Sequence, residues 1–141
     1  MIIVDTGAWV ALANRRDKHH DRVREAFARL REPLVVTWPV MTETCHVLLS
    51  RLGDAAQRSF IAAGAKGAYE IFELAPAHLP RIEALMAKYR ELPMDVADAS
   101  LVVLAEELGS GRILTTDTRD FGAYRWKQRK PFRNLLPLSA P

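Results

Sequence analysis

The sequence predicts an α/β fold in three layers, with a mostly parallel central sheet of four or five strands flanked by helices. Three features carry that reading. Short apolar, β-branched runs recur along the chain at Met1–Val4, Leu34–Thr37, Tyr69–Leu74 and Arg112–Thr115. Longer stretches with apolar residues at helical spacing separate them, and Pro or Gly marks most of the joints. Strands alternating with helices imply right-handed crossovers between parallel strands. Ligands of such sheets bind beyond the carboxyl ends of the strands.

In chain order, Met1–Val4 is the first strand and ends at Asp5, and Thr6–Ala13, with Trp9, Val10 and Leu12, reads as a helix. Asp21–Arg31 places Val23, Ala26, Phe27 and Leu30 on one face of an amphipathic helix, which Pro33 stops. After the second strand, Leu34–Thr37, Pro39 suits the first turn of a helix that runs to about Leu52. Gly53 interrupts it, and a further helix runs from Asp54 to about Lys66. Gly67 turns the chain into a third strand, Tyr69–Leu74. His78–Arg90 repeats apolar residues at Leu79, Ile82, Leu85, Met86 and Tyr89, and Pro93 follows its end. Asp95–Leu108 is apolar almost all round, as a buried helix is, and Gly109 closes it. Arg112–Thr115 is the fourth strand, and a short final strand lies near Phe132–Leu136.

Composition bounds the function classes. A chain of 141 residues is the size of one domain, read here as 1–141, and can bury a core without staples. The single cysteine, Cys45, excludes an intrachain disulfide and a Cys-based zinc cage. No stretch approaches the roughly 20 apolar residues that span a bilayer, and the start does not resemble a secretory leader. The expected compartment is the cytoplasm, with no membrane partner. Net charge of +3 permits a polyanionic partner without demanding one. Basic residues cluster at Arg15, Arg16, Lys18, Arg22 and Arg24, and again at Arg125, Lys127, Arg129 and Lys130; each cluster alone is most simply a solvated face. Neither GxxxxGK nor GxGxxG occurs, so a phosphate-loop nucleotide site has no support.

The informative residues are acidic. Asp5 follows the first strand and Asp117 follows the fourth, both at the carboxyl edge of the sheet. Glu43 falls on the border of the apolar stripe of its helix, where a carboxylate needs a partner such as Arg51 or a metal. Asp98 lies on a face with Leu101, Val102 and Ala105. All but Glu43 have a plainer explanation in helix capping: Asp5 and Asp117 as N-caps, Asp95 as the N-cap of its helix, and Asp98 as the reciprocal acid three residues on. A parallel sheet nevertheless brings Asp5, Glu43, Asp98 and Asp117 to one edge. Close carboxylates repel one another unless a cation sits among them, and oxygen ligands without a His or Cys cage suit Mg²⁺ or Mn²⁺.

Four segments together resemble the PIN-domain ribonucleases, and within them the VapC-like toxins of bacterial toxin and antitoxin pairs. They are VDTGAWVAL around Asp5, TWPVMTETCHVLL around Glu43, PMDVADASLVVLAEELG around Asp98 and ILTTDTRDFGAYR around Asp117. The resemblance spans the chain. It implies a PIN-like three-layer fold in which Asp5, Glu43, Asp98 and Asp117 form the catalytic acidic group. Asp5, Asp98 and Asp117 would be the metal ligands, and Thr6, Thr115 and Asp120 would support them. It also implies an RNA substrate, homodimers and a small antitoxin protein that blocks the site.

The expected reaction is hydrolysis of RNA phosphodiesters by metal-activated water, with Glu43 orienting or deprotonating that water and 5′-phosphate and 3′-hydroxyl ends as products. Arg125, Lys127, Arg129 and Lys130 are candidate contacts to the RNA backbone. The competing readings are a housekeeping nuclease of the same fold and a non-catalytic module that binds RNA or a partner. Another metal-dependent phosphohydrolase would be expected to carry a second acid two residues after the first, where this chain has Gly7.

Overall fold

A computed structural model describes residues 1–136. The chain runs β1 (Ile2–Val4), α1 (Thr6–Ala13), α2 (His20–Arg29), β2 (Leu34–Thr37), α3 (Trp38–Leu52), α4 (Asp54–Ala65) and β3 (Glu70–Phe72). A turn of 3-10 helix, Pro76–His78, then leads into α5 (Leu79–Lys88), α6 (Val96–Leu108) and β4 (Arg112–Leu114). The last elements are α7 (Thr118–Ala123), β5 (Arg125–Trp126), β6 (Lys130–Pro131) and β7 (Arg133–Asn134). The main sheet is parallel throughout, in the order β3-β2-β1-β4-β7.

Strands β1 and β4, at the middle of the sheet, are the most apolar because both their faces are covered. Ile2, Ile3, Val4, Ile113 and Leu114 have no exposed surface. The reversal of strand order falls at β1, between β2 on one side and β4 on the other, so the crevice of the sheet opens beyond Val4 and Leu114. Helix α6 is the buried helix that its sequence requires, with Leu101, Val102 and Leu104 inaccessible to solvent. Its one buried hydroxyl, Ser100, shares a 2.6 Å hydrogen bond with Thr37 at the end of β2 and donates to the Ala97 carbonyl. That bond fixes the first turns of α6 over the carboxyl edge of the sheet.

The differences from expectation lie near the end of the chain. The final strand is reduced to Arg133–Asn134, within the predicted Phe132–Leu136. Before it come the short helix α7 and an antiparallel β5-β6 hairpin that the sequence pattern does not announce. The hairpin is built from tertiary contacts. Trp126 is buried and its indole N–H donates to the Pro131 carbonyl, while the Lys127 N–H donates to Glu106 of α6 at 2.6 Å. Arg81 grips the same Glu106 carboxylate through two nitrogens. No helix among the described residues is long and apolar enough to cross a membrane.

Candidate active site

The parallel strands of the main sheet all end at one edge, and a cavity of about 560 Å³ opens there beyond β1 and β4, lined by Asp5, Thr6, Thr116 and Asp117 of the segments that follow them. Its acidic lining comprises Asp5, Asp17, Glu43, Asp95, Asp98, Asp117 and Asp120, against the guanidiniums of Arg51 and Arg119. Asp5 is the innermost. It leaves β1 in extended conformation and caps α1, its Oδ1 accepting the Thr6 N–H at 2.8 Å. Its Oδ2 accepts the Thr115 hydroxyl at 3.0 Å, and only 8% of the residue is exposed. Burial pushes its carboxyl up to about 7; the two hydrogen bonds oppose that rise, and Glu43 and Asp117 add to it.

Thr115 also accepts the Asp117 N–H, at 2.9 Å, so one buried hydroxyl ties the two strand-end acids together. Asp117 caps α7 by accepting the Asp120 N–H at 3.0 Å. Burial raises its pKa, and the neighbouring Asp120 carboxylate raises it further. Asp120 in turn accepts from Arg119 at 3.1 Å.

Asp98 reaches the cavity from the first turn of α6. The expected capping arrangement is half present: Asp95 caps the helix by accepting the Asp98 N–H at 2.8 Å. The Asp98 carboxylate does not turn back to the cap. It accepts the hydroxyl of the fully buried Tyr124 at 3.1 Å. Burial pushes Asp98 up to about 7, with Asp95 and Asp5 contributing repulsion. The Tyr124 hydroxyl is pushed upward as well, chiefly by burial and then by Asp98, so it stays protonated and remains a donor.

Glu43 enters from α3, half-buried. Burial raises its pKa; a Thr6 hydrogen bond lowers it, and Asp95 raises it again. Of the two partners expected for Glu43, Arg51 or a metal, Arg51 is excluded. Eight residues along a helix separate them by roughly 12 Å, and no ion pair joins them.

The structure thus brings Asp5, Thr6, Glu43, Asp98, Asp117 and Asp120 to one cavity, with Thr115 bracing two of the acids from beneath. It does not bring Arg125, Lys127, Arg129 or Lys130 there. The Arg125 guanidinium bonds the carbonyls of Gly122, Ala123 and Tyr124, and Lys127 and Lys130 lie over the Trp126 ring. Sequence reasoning assigned Asp95 to capping alone and passed over Asp17 and Tyr124. The signal for Asp95 was its place one turn before Asp98; for Tyr124 there was none.

Among the described residues no three acids close into a ready-made metal cage. Mg²⁺ does not need one, since it keeps several waters and takes one or two carboxylates. The donor set fits such an ion: oxygen ligands only, with two carboxyls raised by burial and by neighbouring carboxylates, whose crowding a cation would relieve.

A family model described as PIN domain matches residues 2–127. The chain is 31% identical over 124 residues to ribonuclease VapC26 of Mycobacterium tuberculosis, covering 88% of this chain and 92% of that protein. Among solved structures, Mycobacterium tuberculosis VapC20, described as a Sarcin-Ricin loop cleaving toxin, matches with a TM-score of 0.79. That match covers 84% of this chain and 92% of the other at 19% identity, a likeness of fold.

Proposed function

The chain belongs to the PIN-domain family, and on that premise we propose that it is a divalent-metal-dependent endoribonuclease, the toxin of a toxin and antitoxin pair. One observation supports this most directly. Asp5 and Asp98, on different elements, face one cavity at the carboxyl edge of the sheet, and both are held near pH 7 by burial and by other carboxylates.

Asp5, Asp98 and Asp117 would hold Mg²⁺ or Mn²⁺. Such an ion supplies positive charge and Lewis acidity toward water and the phosphodiester. The chain's own groups do the rest. Thr115 holds Asp5 and Asp117 in register through its hydroxyl, and Tyr124 aims the Asp98 carboxylate. Glu43 lines the same cavity with a pKa raised by burial, which suits a group that takes the proton of an attacking water. As the water oxygen bonds to phosphorus, the bond to the 3′ oxygen breaks and that oxygen leaves with a proton. The products carry 5′-phosphate and 3′-hydroxyl ends. A small antitoxin and a second copy of the chain are the protein partners in this reading.

The test is cleavage of a structured RNA by purified protein. Cutting is expected with Mg²⁺ or Mn²⁺ and none in chelator. Cleavage that persists in chelator, or products ending in 2′,3′-cyclic phosphate, would refute the mechanism, the latter because it reports attack by the ribose hydroxyl.

A further inference from the structure

The acids of the cavity account for cutting but not for holding a polyanion, and most of the chain's arginines are already engaged. Arg29, Arg58, Arg81, Arg112 and Arg119 bond carboxylates, and Arg125 bonds carbonyls. No hydrogen bond or ion pair among the described residues holds the guanidiniums of Arg51, Arg15 or Arg24. Their positions are related. Thr44 of α3 bonds Thr6 of α1, and one turn further along each helix Val47 and Val10 both line the cavity, so the two helices run side by side in the same direction. Arg51 lies one turn beyond Val47 and lines the end of the cavity, with Asp17 of the loop after α1. Arg15 of the same loop, with His20 and Arg24 of α2, lines a second concavity of about 570 Å³ together with Leu12 and one carboxylate, Asp21. His20 is fixed there by its Nδ1, 2.7 Å from the Ala11 carbonyl.

We propose that Arg51, followed by Arg15 and Arg24, is a track for the phosphates of an RNA strand leaving the carboxylate site on one side of the cleaved bond. An α-helical side chain leans toward its own N-terminus, so Arg51 extends from the end of α3 back toward Glu43. Guanidinium is the side chain whose planar fork matches phosphate oxygens. A basic residue in the last turn of α3 also interacts favourably with the helix dipole, but that role calls for no place in the cavity wall. The track rests on the nuclease reading, and its test separates the two.

Binding of a fluorescent structured RNA is measured by anisotropy across a salt series in Ca²⁺, with cleavage assayed separately in Mg²⁺. In Arg51→Gln the affinity falls several-fold, and the slope of log K against log salt loses about 0.7, the share of one phosphate contact to a single strand. Arg15→Gln with Arg24→Gln loses up to twice that, whereas Arg51→Lys keeps the slope because it keeps the charge. Without RNA the Arg51→Gln melting temperature falls by no more than a few degrees, the loss of one helix-dipole interaction, and the Arg15→Gln with Arg24→Gln variant melts with the unaltered protein. Unchanged affinity and slope in both glutamine variants, with RNA cleavage intact, would overturn the track and leave the nuclease standing. Arginine-dependent RNA binding without cleavage would do the reverse, and no RNA binding at all would remove both.

Discussion

Asp5→Asn isolates what the crowded site costs the fold. The substitution keeps shape, and an amide oxygen can still accept the Thr6 N–H at the head of α1, so the cap survives. The amide NH₂ faces Thr115, whose hydroxyl can rotate from donor to acceptor. What is lost is a buried charge. The carboxyl rises from 3.8 to about 7 on folding. A carboxyl whose folded pKa is raised holds its proton more tightly in the native state than in the unfolded one. Its contribution to stability is therefore complete below pH 3.8 and is lost as pH rises through 7. The full span is about 4 kcal/mol at 1.36 kcal/mol per pH unit. Without metal, the unaltered protein and the variant should melt close together near pH 4. They should separate as pH rises, until at pH 8 the variant melts higher by roughly 5–15 °C for a domain of this size. Mn²⁺ should reverse the order by stabilising only the protein that binds it. Thermal melts in chelator from pH 4 to pH 8, repeated with Mn²⁺, measure all of this. A variant that melts lower in chelator at pH 8, or by an amount independent of pH, would show that Asp5 is only a cap.

Asp98→Asn should abolish RNA cleavage. It should also raise the melting temperature in chelator at pH 8 by less than Asp5→Asn does, because solvent screens the more exposed Asp98, while Mn²⁺ should stabilise the variant less than the unaltered protein. Thr115→Val removes the donor to Asp5 and strands the Asp117 N–H, so the protein should lose about 1–3 kcal/mol in urea titrations, with cleavage falling as the two acids lose register. Tyr124→Phe should keep the fold, yet raise the Mg²⁺ concentration for half-maximal cleavage by about tenfold, as loss of a bond that aims a metal ligand does.

How much of the fold the sequence revealed follows from how each element is stabilised. β1, β2 and β4 are present because β-branched apolar runs suit strands covered on both faces, whereas β3 is a partly exposed edge strand, and α6 is buried along the run from Ala99 to Ala105, its acids lying at its two ends. The β5-β6 hairpin escaped because its residues, RWKQRKP, show neither alternation nor a turn pair of Asn-Gly type. Lys127 and Gln128 both adopt positive φ, at 47° and 69°, positions where glycine or asparagine is the usual signal. Glu106 and the buried Trp126 ring hold the hairpin from outside it, and those contacts have no local signature. Helix α7, with six residues, is too short for a periodicity to register.

The candidate site was legible for a different reason, and the same reason obscured part of it. Capping and metal binding looked like alternatives when Asp5, Asp95, Asp98 and Asp117 were weighed one at a time. In the structure Asp5, Asp95 and Asp117 each cap a helix, α1, α6 and α7, and all three face the cavity. A parallel sheet makes this natural, because every helix that follows a strand begins at the carboxyl edge, where its free N–H groups ask for an acidic side chain. The fold therefore concentrates carboxylates at the edge where ligands bind, and each N-terminus repays part of their repulsion with a backbone hydrogen bond and the positive end of a helix dipole. That help is partial, since Asp5 and Asp98 still rise to about 7. The unpaid remainder separates this cavity from an ordinary row of caps, because a solvated cap would sit at or below the usual carboxylate range. Only a cation placed among these acids relieves them all at once.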